Sequence, residues 1–135
     1  MTQNEDKLTP SAAAAARHAL DVWLTMWNSD GRISRVVCAD DFRIRFAVTE
    51  PDGSTPADDI RSAEDFERYL EWWHGQNSGV IFTKIADAVD GRHGRLLWDV
   101  DANGQQAGGV DVFDFDETGR VTRVWSVGGQ RSIRS

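Results

Sequence analysis

With 135 residues, 40% of them hydrophobic and 27% charged, the chain is sized for one domain with its own core. A net charge of −7 leaves no electrostatic footprint for phosphate backbones, so no nucleic-acid partner is expected, and six Trp with six Phe exclude a disordered acidic tail. One cysteine, Cys38, excludes an internal disulfide. The polar N-terminus and the absence of a run of ~18 apolar residues predict no signal peptide, no membrane partner and a cytoplasmic location.

Residues 1–10 read as a flexible tail, 11–128 as a single domain and 129–135 as a C-terminal tail. Pro10-Ser11 opens a first helix, with Ser11 as its expected N-cap. Leu20, Trp23, Leu24 and Trp27 recur at i, i+3, i+4 and i+7, one apolar stripe of that helix. A short second helix carries Ile33, Val36 and Val37 and closes at Ala39-Asp40-Asp41. Phe42 to Val48 alternates with period two, as a half-buried strand does. Residues 49–61 hold two Pro and a Pro-Asp-Gly turn, a surface loop with room for one short strand. Ser62 and Asp65 resemble a capping box at the start of a third helix. Its stripe is Phe66, Tyr69, Leu70 and Trp73, and Gly75 is its expected stop.

The last sixty residues are β-rich: Val80 to Val89, Arg92 to Asp101, Gln106 to Asp116 and Arg120 to Val127. Asp90-Gly91, Asn103-Gly104 and Thr118-Gly119 punctuate them, which predicts four strands in an antiparallel meander. The fold class is therefore α+β, a curved antiparallel sheet packed on three helices. A twisted meander curling round two aromatic helix stripes leaves a cone, and its mouth is a pocket.

Turn registers assign the inner face. A two-residue turn at Asn103-Gly104 sets Asp111 opposite Leu96 and Gly109 opposite Trp98. A turn at Glu117-Thr118 sets Asp111 opposite Val124, with Thr122 and Ser126 on the same face. Leu96, Trp98, Asp111, Phe113, Phe115, Val124 and Ser126 then share one face. Asp111 is the acid among apolar neighbours. Desolvation there raises a carboxyl's pKa, and a neutral acid can donate a hydrogen bond or work as a general acid/base. The alternative is an Asp111 hydrogen-bonded at the pocket rim or exposed through a register slip.

The segment Gly109 to Val127 has Asp111, then Phe115-Asp116 four and five residues on, then Gly119-Arg120 and an apolar alternating strand. In this it resembles the last hairpin of the nuclear transport factor 2-like superfamily, and the Ala39-Asp40-Asp41 step is also similar. The likeness is nearest to SnoaL-like domains and ketosteroid isomerases and covers roughly residues 11–128. It implies a cone-shaped sheet with three helices and a homodimer. It also places Asp111 at the oxyanion-hole Asp of ketosteroid isomerases, whose neutral-acid logic is a worked example of pKa tuning. The isomerase base falls on Phe46 and its tyrosine on or near Val22, so that mechanism lacks two groups here. The Arg-x-Asp of limonene epoxide hydrolases fails, because Leu97 stands two residues after Arg95. SnoaL-type cyclases use an acid/base Asp in the sheet, which Asp111 matches, with His74 as the nearest polar helper.

The expected substrate-binding residues are Trp23, Trp27, Phe46, Phe66, Tyr69, Trp73, Leu96, Trp98, Phe113, Val124 and Ser126. His18, His74 and His93 show no metal-ligand spacing, so no metal and no cofactor are expected. Cys38 reads as a small buried hydrophobe. Gly108-Gly109 marks a bulge or a close backbone approach. The reading is a SnoaL-like protein binding a hydrophobic, cyclic or carbonyl-containing small molecule, with cyclase- or isomerase-type chemistry by Asp111. The alternative is a non-catalytic ligand-binding or dimerisation module whose cone is filled by its own side chains.

Overall fold

The chain is described from a computed structural model covering residues 7–134. Most of the tail expected over residues 1–10 lies outside the described residues. The described order is α1 (Pro10–Asn28), α2 (Ser34–Val37), β1 (Cys38–Phe46), α3 (Ala63–Gln76), β2 (Val80–Asp90), β3 (His93–Ala102), β4 (Gln105–Phe115) and β5 (Val121–Gly128). Short 3₁₀ turns cover Gly31–Ile33 and Pro56–Asp59.

Helix α1 starts two residues earlier than its sequence signal suggests. Thr9, not Ser11, is the N-cap: its hydroxyl accepts from the Ala12 amide at 3.2 Å. Pro10 then takes the first helical position, where a missing N–H costs nothing. Helix α2 is only one turn long, and Ala39-Asp40-Asp41 belongs to β1 rather than closing a helix. The loop before α3 holds no strand. Its 3₁₀ turn instead buries Ala57 and Ile60. At α3 the Ser62 hydroxyl accepts from the Asp65 amide at 3.0 Å, while the Asp65 carboxylate reaches back to the Arg61 amide at 3.1 Å.

The sheet runs β1-β5-β4-β3-β2. Strands β2 to β5 form the expected antiparallel meander, and β1 adds in parallel to β5, which makes the sheet mixed. Register breaks in the β1–β5, β2–β3 and β4–β5 ladders mark irregularities of the kind that bend strands and raise the local twist. The bent sheet cups α1 and α3. Leu20, Trp23, Met26, Phe42, Phe66, Leu70, Leu96, Phe113 and Val124 form a continuous core between the layers.

Polar contacts fix the helices to the sheet edge. The Asn28 amide donates to the Phe82 carbonyl at 2.9 Å and its oxygen accepts from the Phe82 amide at 2.8 Å. The side chain thus pairs with edge strand β2 as a strand would. Arg17 on α1 pairs with Asp87 on the same strand. Glu67 on α3 is held by a bidentate Arg35 contact at 2.6 and 2.7 Å.

Residues 129–134, expected as a tail, fold back on the outer face of the sheet. The Asp99 carboxylate accepts from the Ser132 hydroxyl at 2.5 Å and from the Ile133 amide at 2.9 Å. Among the described residues, no helix is long and apolar enough to cross a membrane.

Candidate functional site

The cupped face encloses a cavity of about 240 Å³. Helix α1 supplies Leu24 and Trp27, and α3 supplies Tyr69 and Trp73. Phe46 closes β1, and Val48 and Glu50 follow it. The sheet supplies Phe82 from β2, Trp98 from β3, Asp111 from β4, and Ser126 and Gly128 from β5. The volume lies below the ~300–1,000 Å³ of drug-sized sites.

Asp111 is the buried acid of this cavity, 3% exposed. Its Oδ2 accepts from the Trp23 Nε1 at 3.1 Å and its Oδ1 from the Trp98 Nε1 at 3.0 Å. Ser126, directly across the ladder, faces the same carboxyl. Burial pushes the Asp111 pKa up, against the opposing pull of the Ser126, Trp98 and Trp23 hydrogen bonds. An indole N–H can only donate. In the neutral acid both oxygens therefore keep an indole, and the acid's own O–H is left for Ser126 or a ligand in the cavity.

One glycine allows this geometry. Trp98 stands opposite Gly109. A Cβ on Gly109 would meet the Trp98 ring at 2.5 Å and would also collide with the Val127 carbonyl. A Cβ on Gly128, by contrast, would make only an ordinary contact with the same ring at 3.7 Å. The indole lies on this bare backbone and so brings its N–H to Asp111. The ladder is unbroken at Gly108 and Gly109, so the pair marks close approach rather than a bulge.

The aromatic walls meet at steep angles. Trp27 and Trp73 stand 5.3 Å apart at 87°, and Phe82 and Trp98 stand 5.3 Å apart at 84°. Burial, and the Glu50 charge beside it, push the Tyr69 phenol up to about 12.

Trp27, Phe46, Tyr69, Trp73, Trp98, Asp111 and Ser126 were expected in the site and line the cavity. Trp23, Phe66, Leu96, Phe113 and Val124 were also expected there but lie beneath it, sealed in the core. Of these, Trp23 still reaches the site through its bond to Asp111. His74 is placed elsewhere: its Nε2 sits 3.1 and 2.9 Å from the Met26 and Trp27 carbonyls, tying α3 to the end of α1. Leu24, Val48, Glu50, Phe82 and Gly128 were not anticipated. Leu24 was legible in the α1 stripe; Glu50 had no signal beyond a loop.

The β4–β5 register also departs from expectation. Asp111 pairs with Ser126, and Val124 pairs with Phe113. The turn is longer than two residues and uses Gly119 at φ +86°. The slip is by two residues, which preserves the face of Val124 and Ser126. A bulge at Asp114/Phe115 sets Val121 opposite Phe115, and Val121 rather than Thr122 is the buried residue there. Among the described residues, no group of three His, Cys, Asp or Glu could hold a metal ion.

No family model and no curated protein matches the chain. Solved structures do. A SnoaL-like protein of unknown function from Burkholderia thailandensis superposes with a TM-score of 0.69 at 20% identity, over 90% of this chain and 99% of that one. The chain has the nuclear transport factor 2-like fold. An inferred isomerase of the SnoaL-like family from Agrobacterium tumefaciens reaches a TM-score of 0.69 at 16% identity, over 86% of this chain and 98% of that one. A de novo designed protein with a curved β-sheet reaches 0.64 at 16% identity, over 86% of each chain. That a designed scaffold shares the NTF2-like fold means that chemistry must be argued from the cavity itself.

Proposed function

We propose that this NTF2-like chain binds a small, cyclic or carbonyl-containing hydrophobic molecule in its cone and acts on it by acid–base chemistry through Asp111. The observation that carries the reading is the carboxyl itself. It is buried at an aromatic cavity, with both oxygens fixed by indole N–H donors. A neutral acid so placed donates a hydrogen bond to a carbonyl oxygen and stabilises the enolate that forms as a water molecule entering by the mouth takes the α-proton. Such a reaction needs no cofactor. The aromatic walls hold the ring of the ligand, and Ser126 orients the acid.

The test has two readouts. Small cyclic ketones are titrated by Trp fluorescence, and α-proton exchange into D₂O is followed by NMR, for native protein and Asp111→Asn. Native protein is expected to quench on binding and to accelerate exchange, and Asp111→Asn to lose at least ~100-fold of the acceleration. Binding without exchange would leave a non-catalytic ligand-binding module. No binding to either form would sink the ligand reading.

A second reading concerns assembly. Val112, Trp125, Val127 and Ile133 are 40–45% exposed on the outer sheet face. Val112 pairs with Trp125 across the ladder. Arg45 and Arg123 flank the Trp125 ring at 5.9 and 6.0 Å. An apolar face with a polar rim suits a self-complementary homodimer contact. Sedimentation of native protein is expected to give a dimer, and Trp125→Glu a monomer. A native monomer at ~100 μM would exclude this contact as a stable interface.

A further inference from the structure

We infer that the cone selects ligands with a positively charged end, an ammonium or quaternary ammonium group at the mouth, over neutral and anionic ligands of the same shape. This rests on the ligand-binding reading above and narrows its chemical class.

Three observations converge on it. First, the acidic groups in the lining are Asp111 and Glu50, and among the described residues no Lys, Arg or His lines the cavity. An anion entering would meet carboxyl groups and find no cationic partner. Second, Glu50 stands at the mouth. It is exposed, and it lines both the cone and the outer cleft that holds Tyr69 and Trp72. Asp111, in contrast, is buried. The two acids therefore have separate tasks: Asp111 meets a hydrogen-bond acceptor at the inner end of the ligand, and Glu50 meets charge at the outer end.

Third, the cavity walls are aromatic rings in different planes. Trp27 lies 6.0 Å from Phe46 at 62°, 6.3 Å from Tyr69 at 79° and 5.3 Å from Trp73 at 87°. Ring faces are negative by their quadrupole, and a cation surrounded by several of them is attracted most when desolvated. The net charge of −7 favours the approach of cations to the mouth.

The test uses three aryl ketones of matched shape: acetophenones bearing a para trimethylammonium, tert-butyl or carboxylate group. Affinities are measured by isothermal titration calorimetry with native protein and with Glu50→Gln, whose site is exposed and leaves the core untouched. The trimethylammonium ketone is expected to bind about tenfold more tightly than the tert-butyl ketone, and the carboxylate ketone weakest of the three. In Glu50→Gln the ratio of trimethylammonium to tert-butyl affinity is expected to fall about threefold, and in native protein that ratio should shrink with added salt. Tert-butyl binding equal to or tighter than trimethylammonium would overturn the charge preference and leave the cone as a ligand site. A preference unchanged in Glu50→Gln would overturn the assignment of the charged end to the mouth. If none of the three binds, this inference and the ligand-binding reading fall together.

Discussion

Asp111→Ala is expected to lower the free energy of unfolding by about 2–5 kcal/mol. The substitution leaves two buried indole N–H groups, Trp23 and Trp98, without an acceptor, and opens a void beside them. Each unpaired buried donor costs about 1–3 kcal/mol. Asp111→Asn costs less, about 1–3 kcal/mol, because its amide oxygen still serves one indole while its NH₂ faces the other. Urea denaturation of the three proteins checks the order. Equal midpoints for all three would mean that the indole pair does not depend on this acceptor.

The same residue imposes a pH dependence of unusual sign. Burial holds the folded Asp111 pKa above its ordinary value of 3.8. Between the ordinary and the folded value, the folded chain binds more protons than the unfolded one, so this group's contribution falls as pH rises. It is fully present below the ordinary value and is lost as pH passes the folded one. Asp87, Asp99 and Asp116 act in the opposite sense, because hydrogen-bond donors hold their pKa values down. The Asp111 effect is therefore read as a difference. Stability of native protein relative to Asp111→Asn is expected to decline as pH rises from about 4. A difference that stays flat with pH would show that the carboxyl is not raised.

Gly109→Ala is expected to destabilise by about 2–4 kcal/mol and to abolish ligand response in the cone. A methyl group there occupies the space of the Trp98 ring and strikes the Val127 carbonyl. Backbone on the β5 side cannot yield without breaking the β4–β5 ladder, so the indole must move. Its N–H then leaves Asp111, and the cavity wall moves with it. Near-UV circular dichroism checks the displaced Trp98 environment, and ketone titration checks the cavity. A variant with native stability and native binding would show that the ring has room to shift.

Much of this architecture is written in local pattern. The stripes Leu20-Trp23-Leu24-Trp27 and Phe66-Tyr69-Leu70-Trp73 mark two helices, and turn signals divide the meander, because each rests on a period that neighbouring residues impose. The Asn103-Gly104 turn also determines a true tertiary fact, the pairing of Asp111 with Leu96, since both central residues adopt positive φ. That is enough to place Asp111 on the inner face with Trp98.

What local pattern could not carry is the interior detail of the cone. Extending the β2–β3 register unbroken from Asp90↔His93 would set Phe82 against Asp101 on the outer face. The irregularity between Lys84 and Ala86 shifts the pairing by one residue, and Phe82 joins Trp98 inside instead. Nothing in Lys84-Ile85-Ala86 announces that break, which depends on how the sheet bends over the helices. The parallel seat of β1 beside β5, the two indoles converging on Asp111 and the place of Glu50 at the mouth depend likewise on contacts between residues far apart in the chain. The sequence by itself determined the elements, the inner face of the last hairpins and the acid that belongs to it. Only the tertiary structure decided which aromatic rings wall the cavity and which sink into the core, because bulges and packing, not periodicity, set where each ring ends.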